Sequence, residues 1–400
     1  MVVPTSKGRC CITDPHAYYQ DSITTIAKRF ELYREIGVDT LRVEISWRDF
    51  LDDEEGAWND SRLRNYLQEV RKTDFRLKMI VGTIMAPPGK FLERVPEARL
   101  INEDGVYSRN TISYWYPGLS ALLKKQLKRQ LEYLKSAGLL ERTDYIIADF
   151  GPAGEPIYPA AWTMGGLTDR ETFWCYDANA QNDFRKKMQA KYRSIVKANA
   201  TWSSSYKDWA EVSVLKPGTT PGKHWEDVLT WYRDKKRAFI QTQLGMFQAL
   251  ARSYTKGRTR VLVYIPGSDI RPQEWEEAIR TGSGSAMVRL MCDSRWLIDT
   301  AVKKSCVLQY TGMENRPEVE YLKAYLDKSG HKGYPLWGEN AGDPGPADNP
   351  MALAQTIVDL GLIGLDYTHS HFVFEKDGIT PNARFAKLRE AYALLRKAPT

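Results

Sequence analysis

Two glutamates, Glu155 in Gly151-Pro152-Ala153-Gly154-Glu155 and Glu339 in Gly338-Glu339-Asn340-Ala341, each stand at the end of a short apolar run. The runs are 144–150 and 333–337, so both carboxyl groups belong where a buried parallel strand leaves its sheet. Two carboxyl groups facing each other across such a mouth can cleave a glycosidic bond. One protonates the departing oxygen, and the other activates water or attacks the anomeric carbon. Other chemistries lack their marks: no GxxxxGK[ST] or GxGxxG loop follows an apolar run, and neither a GxSxG elbow nor HExxH occurs. The cluster Gly282-Ser283-Gly284-Ser285 lacks the strand-to-helix context of a phosphate loop.

The elements that must carry these residues are legible as a repeat. Apolar runs of strand length fall at 8–13, 39–47, 77–84, 144–150, 260–266, 306–311, 333–338 and 364–372. Helical patterns lie between them, for example at 22–36, 61–73, 119–137, 319–328 and 350–360. Eight strands alternating with helices predict an α/β fold, a closed (β/α)8 TIM barrel spanning 1–400 as one domain. Long loops are expected after strand three (85–117) and strand four (a long insertion at about 151–221). The two glutamates then end strands four and seven, at the face where barrel enzymes keep their chemistry.

Composition sets limits. Lys and Arg total 57 against 50 Asp and Glu, a net charge of +7, but the signs are interspersed, which argues for a solvated surface and no nucleic-acid partner. No run reaches the roughly 18 apolar residues of a membrane span. The segment Met1-Val2-Val3-Pro4-Thr5 lacks a basic-then-apolar leader pattern, and both a cytoplasmic protein and an exported one with its signal peptide removed are compatible with that. Five cysteines at scattered positions suit buried reduced thiols better than a disulfide framework or a zinc site, and no metal or other cofactor is expected. The 12 Trp and 22 Tyr supply many flat faces of the kind sugars stack on; each one taken singly is better read as a cap on the barrel.

Further candidates follow from the strand ends. Asp14 and Asp269 would end strands one and five and could bind hydroxyls. His16 would approach His369 and His371 as the barrel closes; hydrogen-bonding or sugar contacts are favoured there over a metal. Asp149 points into the strand-four layer, where a buried carboxylate needs a partner. Trp337 is either the pocket floor or a core side chain, and Asn340 follows the second glutamate.

Gly151-Pro-Ala-Gly-Glu-Pro-Ile-Tyr-Pro159, Cys175-Tyr-Asp177 with Asp183-Phe184, Leu229-Thr-Trp-Tyr232 with Lys235, Tyr310-Thr311 with Glu314, and Gly338-Glu-Asn-Ala341 resemble consecutive landmarks of the β-amylase family of glycoside hydrolases. The resemblance covers most of the chain. It implies an inverting pair with Glu155 as general acid and Glu339 as general base, and Thr311 on a mobile inner loop that assists them. It also puts Glu44 in the place of an aspartate that grips the terminal sugar, the alternative for Glu44 being a salt bridge or a helix-facing carboxylate. The departures are equally informative: the family's strand-three histidine and Gly-rich lid are missing, its strand-five lysine becomes Tyr264, and its strand-eight arginine becomes His369. A carbohydrate substrate other than standard starch, attacked from a chain end, is the expectation. The sequence also resembles the broader barrel clan of β-galactosidases, which implies a retaining alternative with Glu339 as nucleophile; there an Asn normally precedes the acid, and this chain has Gly154. A carbohydrate-binding barrel without catalysis is the remaining alternative, against which the joint presence of Glu155, Glu339 and Thr311 argues.

Overall fold

The computed structural model describes residues 8–398 apart from 51–58, 86, 220 and 341–348, so Met1–Thr5 and Ala341 lie outside the described residues. Ten strands are formed: β1 Arg9–Thr13, β2 Thr40–Ser46, β3 Arg76–Gly82, β4 Arg99–Ile101, β5 Tyr107–Ile112, β6 Thr143–Ile147, β7 Arg260–Ile265, β8 Val307–Thr311, β9 Leu336–Glu339 and β10 Gly364–Thr368. Eight of them close a barrel in the ring order β1-β2-β3-β6-β7-β8-β9-β10, with β10 returning to β1. All eight neighbouring pairs are parallel. These are the eight predicted strands. The antiparallel pair β4–β5 lies in the excursion after the third barrel strand and was not anticipated.

Local chemistry sets the helix boundaries. The helix Ile23–Ile36 starts where the Ser22 hydroxyl accepts from Thr25 N at 3.1 Å, and it stops at Gly37, whose φ of 84° suits a residue without Cβ. The insertion after β6 folds into the helices Ala178–Tyr192 and Ile195–Trp202 and leads into a helix of 33 residues, Lys223–Thr255. At 1.5 Å per residue this helix is about 50 Å long, enough to run from the insertion back along the barrel wall to β7. The aromatic side chains of both long loops largely pack on one another: Tyr158 stacks on Tyr232 at 4.0 Å and Trp115 on Trp231 at 5.0 Å, all four buried.

Inside the barrel the period of two along each strand sorts side chains into layers. Cys11, Ile80, Tyr145, Ile147, Leu262, Val307 and Trp337 form an apolar cluster. Beside it lies a layer of polar and charged groups, with Lys78 Nζ 3.3 Å from the centre of the Trp337 ring. Cys10, Cys11, Cys175, Cys292 and Cys306 are all buried free thiols. Among the described residues no helix is long and apolar enough to cross a membrane.

Candidate active site

Glu155 sits on a loop that is tied down from two sides. On one side the buried Asp149 carboxylate accepts from the backbone N–H groups of Thr83 at 2.5 Å, Ile84 at 2.8 Å, Met85 at 3.2 Å and Gly151 at 3.2 Å, joining the ends of β3 and β6. Burial pushes its carboxyl up, and these four donors oppose the rise. On the other side Lys236, buried on the 33-residue helix, donates to Ile157 O at 2.6 Å, Phe150 O at 2.9 Å and Tyr114 Oη at 2.9 Å. The turn between reverses through Ala153 (φ 54°) and Gly154 (φ 80°). It leaves no room for a side chain at Gly151, where a Cβ would stand 2.5 Å from Ile157 O.

Among the described residues the Glu155 carboxyl accepts one hydrogen bond, from Thr311 Oγ1 at 2.6 Å, and that hydroxyl lies 3.2 Å from Ile265 O. Burial raises the Glu155 pKa to about 7; Thr311 opposes the rise and the charge of Glu339 adds to it. Thr311 has one hydrogen to give. When Glu155 is protonated, the hydroxyl can donate to Ile265 O and accept from the acid; when Glu155 is ionised, it can donate to the carboxylate. Thr311 is the last residue of β8, inside the barrel.

Glu339 ends β9 in a different setting. Its Oε1 accepts from Arg42 Nη1 at 2.5 Å and Thr368 Oγ1 at 3.0 Å, and its Oε2 from Gln309 Nε2 at 2.5 Å. Burial raises its pKa and Asp366 adds to this, while Arg42 and Gln309 work the other way by favouring the ionised form. Beneath it, Asp366 is reached by Arg42 at 3.3 Å and by Lys78, Gln309 and Thr13, each at 3.2 Å. Burial works against the Asp366 charge, but Arg42 and Lys78 outweigh it and hold the carboxyl below its usual range. Gln309 also accepts from Lys78 at 2.7 Å, so its amide is used at both ends.

Both glutamates line one cavity of about 690 Å³. Its walls come from two arcs of the ring. Strands β2, β9 and β10 supply Arg42, Glu44, Asn340, Thr368 and His369; the ends of β6, β7 and β8 and the loops after them supply Ala153, Trp162, Tyr264, Ser268, Thr311 and Glu314. Glu44 is 3.2 Å from Arg42. Asn340 and Thr368 clamp each other, Thr368 N donating to Asn340 Oδ1 at 2.7 Å and the Asn340 amide donating to Thr368 O. Burial lowers the His369 pKa to about 4, so its imidazole is neutral at physiological pH. The Tyr264 hydroxyl is buried and has no hydrogen-bond partner among the described residues.

Four sequence candidates stand elsewhere. Asp14 is enclosed by the hydroxyls of Tyr33, Tyr66 (3.0 Å) and Ser370 (2.5 Å), which saturate it as a structural hub. Asp269 is bound to Arg295 at 2.6 Å and faces Arg271 at 3.6 Å. Trp337 is fully buried under Lys78 and is core. His16 is 3.6 Å from Glu44 and 4.0 Å from Asp49, and it lines a separate cavity with Arg48, Asp49 and Arg62. Conversely, Arg42, Gln309, Thr368 and Trp162 were not singled out from the sequence. Arg42 and Gln309 were detectable in principle as polar residues at the inward phase of apolar strands, two positions before Glu44 and Thr311 respectively. Among the described residues no group of three or more His, Cys, Asp or Glu side chains could hold a metal ion.

A closed (β/α)8 barrel whose mouth presents a glutamate after its fourth strand and another at the end of its seventh belongs to the class of TIM-barrel glycosidases. More particularly, the chain belongs to the glycoside hydrolase 42 family, whose model, described as beta-galactosidase, matches residues 17–261. That match includes Glu155; Glu339 lies beyond it. The thermophilic beta-amylase of Thermoanaerobacterium thermosulfurigenes is 30% identical over 146 residues, 33% of this chain and 25% of that protein. A beta-galactosidase of Thermus thermophilus is 26% identical over 231 residues, 54% of this chain and 33% of that protein. The chain thus spans a third or less of these relatives' own lengths. The catalytic domain of beta-amylase from Paenibacillus polymyxa superposes with a TM-score of 0.78 at 18% identity, covering 98% of this chain and 99% of that one. A beta-galactosidase from Bacillus circulans sp. alkalophilus gives 0.66 at 13% identity, covering 99% and 57%. The protein is a divergent, β-amylase-like member of these barrels.

Proposed function

We propose that this protein is a glycoside hydrolase acting from a chain end on an oligo- or polysaccharide other than standard starch, with Glu155 as general acid and Glu339 as general base. The observation that carries the reading is the unequal setting of the two carboxyl groups in one cavity. Glu155 is met by one hydroxyl and titrates near 7, whereas Glu339 receives three donors, one of them a guanidinium. Paired carboxyl groups with environments that differ in this way divide into acid and base.

In the inverting step, water bound against Glu339 gives its proton to that carboxylate while its oxygen bonds to the anomeric carbon. The bond to the leaving oxygen breaks, and Glu155 supplies that oxygen with a proton. Exchange with solvent restores both groups. Glu44, Asn340, His369 and the buried Tyr264 hydroxyl are the proposed holders of sugar hydroxyls.

The family match favours a second reading, in which Glu339 attacks the anomeric carbon itself and the configuration is retained. Proton NMR of the earliest product separates the two. The inverting reading expects the anomer opposite to the bond cleaved, and the same anomer would establish a covalent intermediate on Glu339.

A further inference from the structure

Trp162 stands apart from the other aromatic side chains of the long loops. Its side chain is 67% exposed, yet it lines the cavity that holds Glu155 and Glu339. The backbone around it is fixed. Ala161 N donates to Glu171 Oε2 at 2.9 Å, Thr163 O accepts from Asn110 Nδ2 at 2.6 Å, and the Thr163 hydroxyl donates to Ala160 O at 2.7 Å. A large apolar ring is thus held in water on a braced turn, an arrangement that costs hydrophobic burial and suits a preorganised contact surface.

The two arcs of the mouth say which sugar it would meet. Glu339 lies on the arc with Arg42, Glu44, Thr368 and His369, so the ring whose anomeric carbon reacts occupies that side. Glu155 must reach the leaving oxygen, and it lies on the arc of β6, β7 and β8, seven residues before Trp162 in the sequence. Resting on the proposed function, we infer that Trp162 is the platform of a leaving-group subsite that takes the flat apolar face of a pyranose ring.

Matched substrates with and without a sugar leaving group test this: β-galactosyl fluoride against lactose, and α-maltosyl fluoride against maltotetraose. W162A should lower kcat/KM on the lactose or maltotetraose member by about tenfold or more, chiefly through KM, with W162F keeping most of the parent value. On the fluoride of the same pair, W162A should stay within about twofold of the parent. Equal losses on both members, or an unchanged sugar substrate, would overturn the subsite. Failure of the parent protein to turn over any member of a panel of aryl glycosides and natural oligosaccharides that includes both pairs would instead sink the glycosidase reading, and the subsite with it; that outcome is visible before any variant is made.

Discussion

Glu155 can hold its proton near neutrality because its carboxyl is desolvated and, among the described residues, it accepts from a hydroxyl and from no cation. As the proton donor it is competent below its pKa, so kcat/KM should fall as pH rises through about 7, giving the alkaline limb of the profile. The Thr311 hydrogen bond favours the ionised carboxyl, and T311V removes it. The limb should therefore move to higher pH in T311V; a limb that stayed in place or moved down would separate Thr311 from the acid. Replacing Glu155 or Glu339 by Gln preserves shape but removes proton transfer, and each variant should lose about 10²–10⁴-fold in kcat with an unchanged circular dichroism spectrum. Activity within about tenfold of the parent would remove that glutamate from the pair.

The acid loop depends on an element far from it in sequence, the Lys223–Thr255 helix, through Lys236. Burial drives the Lys236 pKa well down, and among the described residues no carboxylate touches the amine, whose partners there are the two loop carbonyls and the Tyr114 hydroxyl. K236M fills similar space but strands those oxygens, so it should cost about 2–4 kcal/mol in urea unfolding and lower kcat more than it raises KM. Loss of stability with a parental kcat would mean that the loop holds Glu155 unaided. None of this was legible in the chain, since Lys236 and Phe150 are neighbours only after the barrel closes. The barrel itself was legible because parallel strands buried on both faces read as continuous apolar runs, and Glu155 and Glu339 each follow such a run. Asp14 and Asp269 also follow apolar runs, and the sequence held nothing to distinguish a carboxylate saturated by tyrosines or arginines from one open to a ligand. The β4–β5 hairpin escaped notice because Tyr107–Ile112, with Ser, Arg, Asn and Thr in its middle, carries too little apolar alternation.

For the molecule as a whole, the charged layer acts as a bolt across the barrel: Asp366 on β10 touches side chains from β1, β2, β3 and β8. D366N takes from buried Lys78 the carboxylate that offsets it and from Arg42 one of the three it faces, so a loss of about 3–5 kcal/mol in urea unfolding is expected. A midpoint within experimental error of the parent would show that the layer positions Glu339 without stabilising the barrel. The buried cysteines carry a different consequence. Burial raises Cys292 and Cys306 to about 12, and Cys10, Cys11 and Cys175 likewise lie above the usual thiol range. An intact molecule therefore presents almost no thiolate to an alkylating reagent. Two of the five are on β1 at the seam with β10, one is in the insertion, and two flank the helix before β8. Each thus records the moment at which its own part of the chain opens, and the order in which iodoacetamide mass appears on the five peptides amounts to a built-in chronicle of how the barrel comes apart.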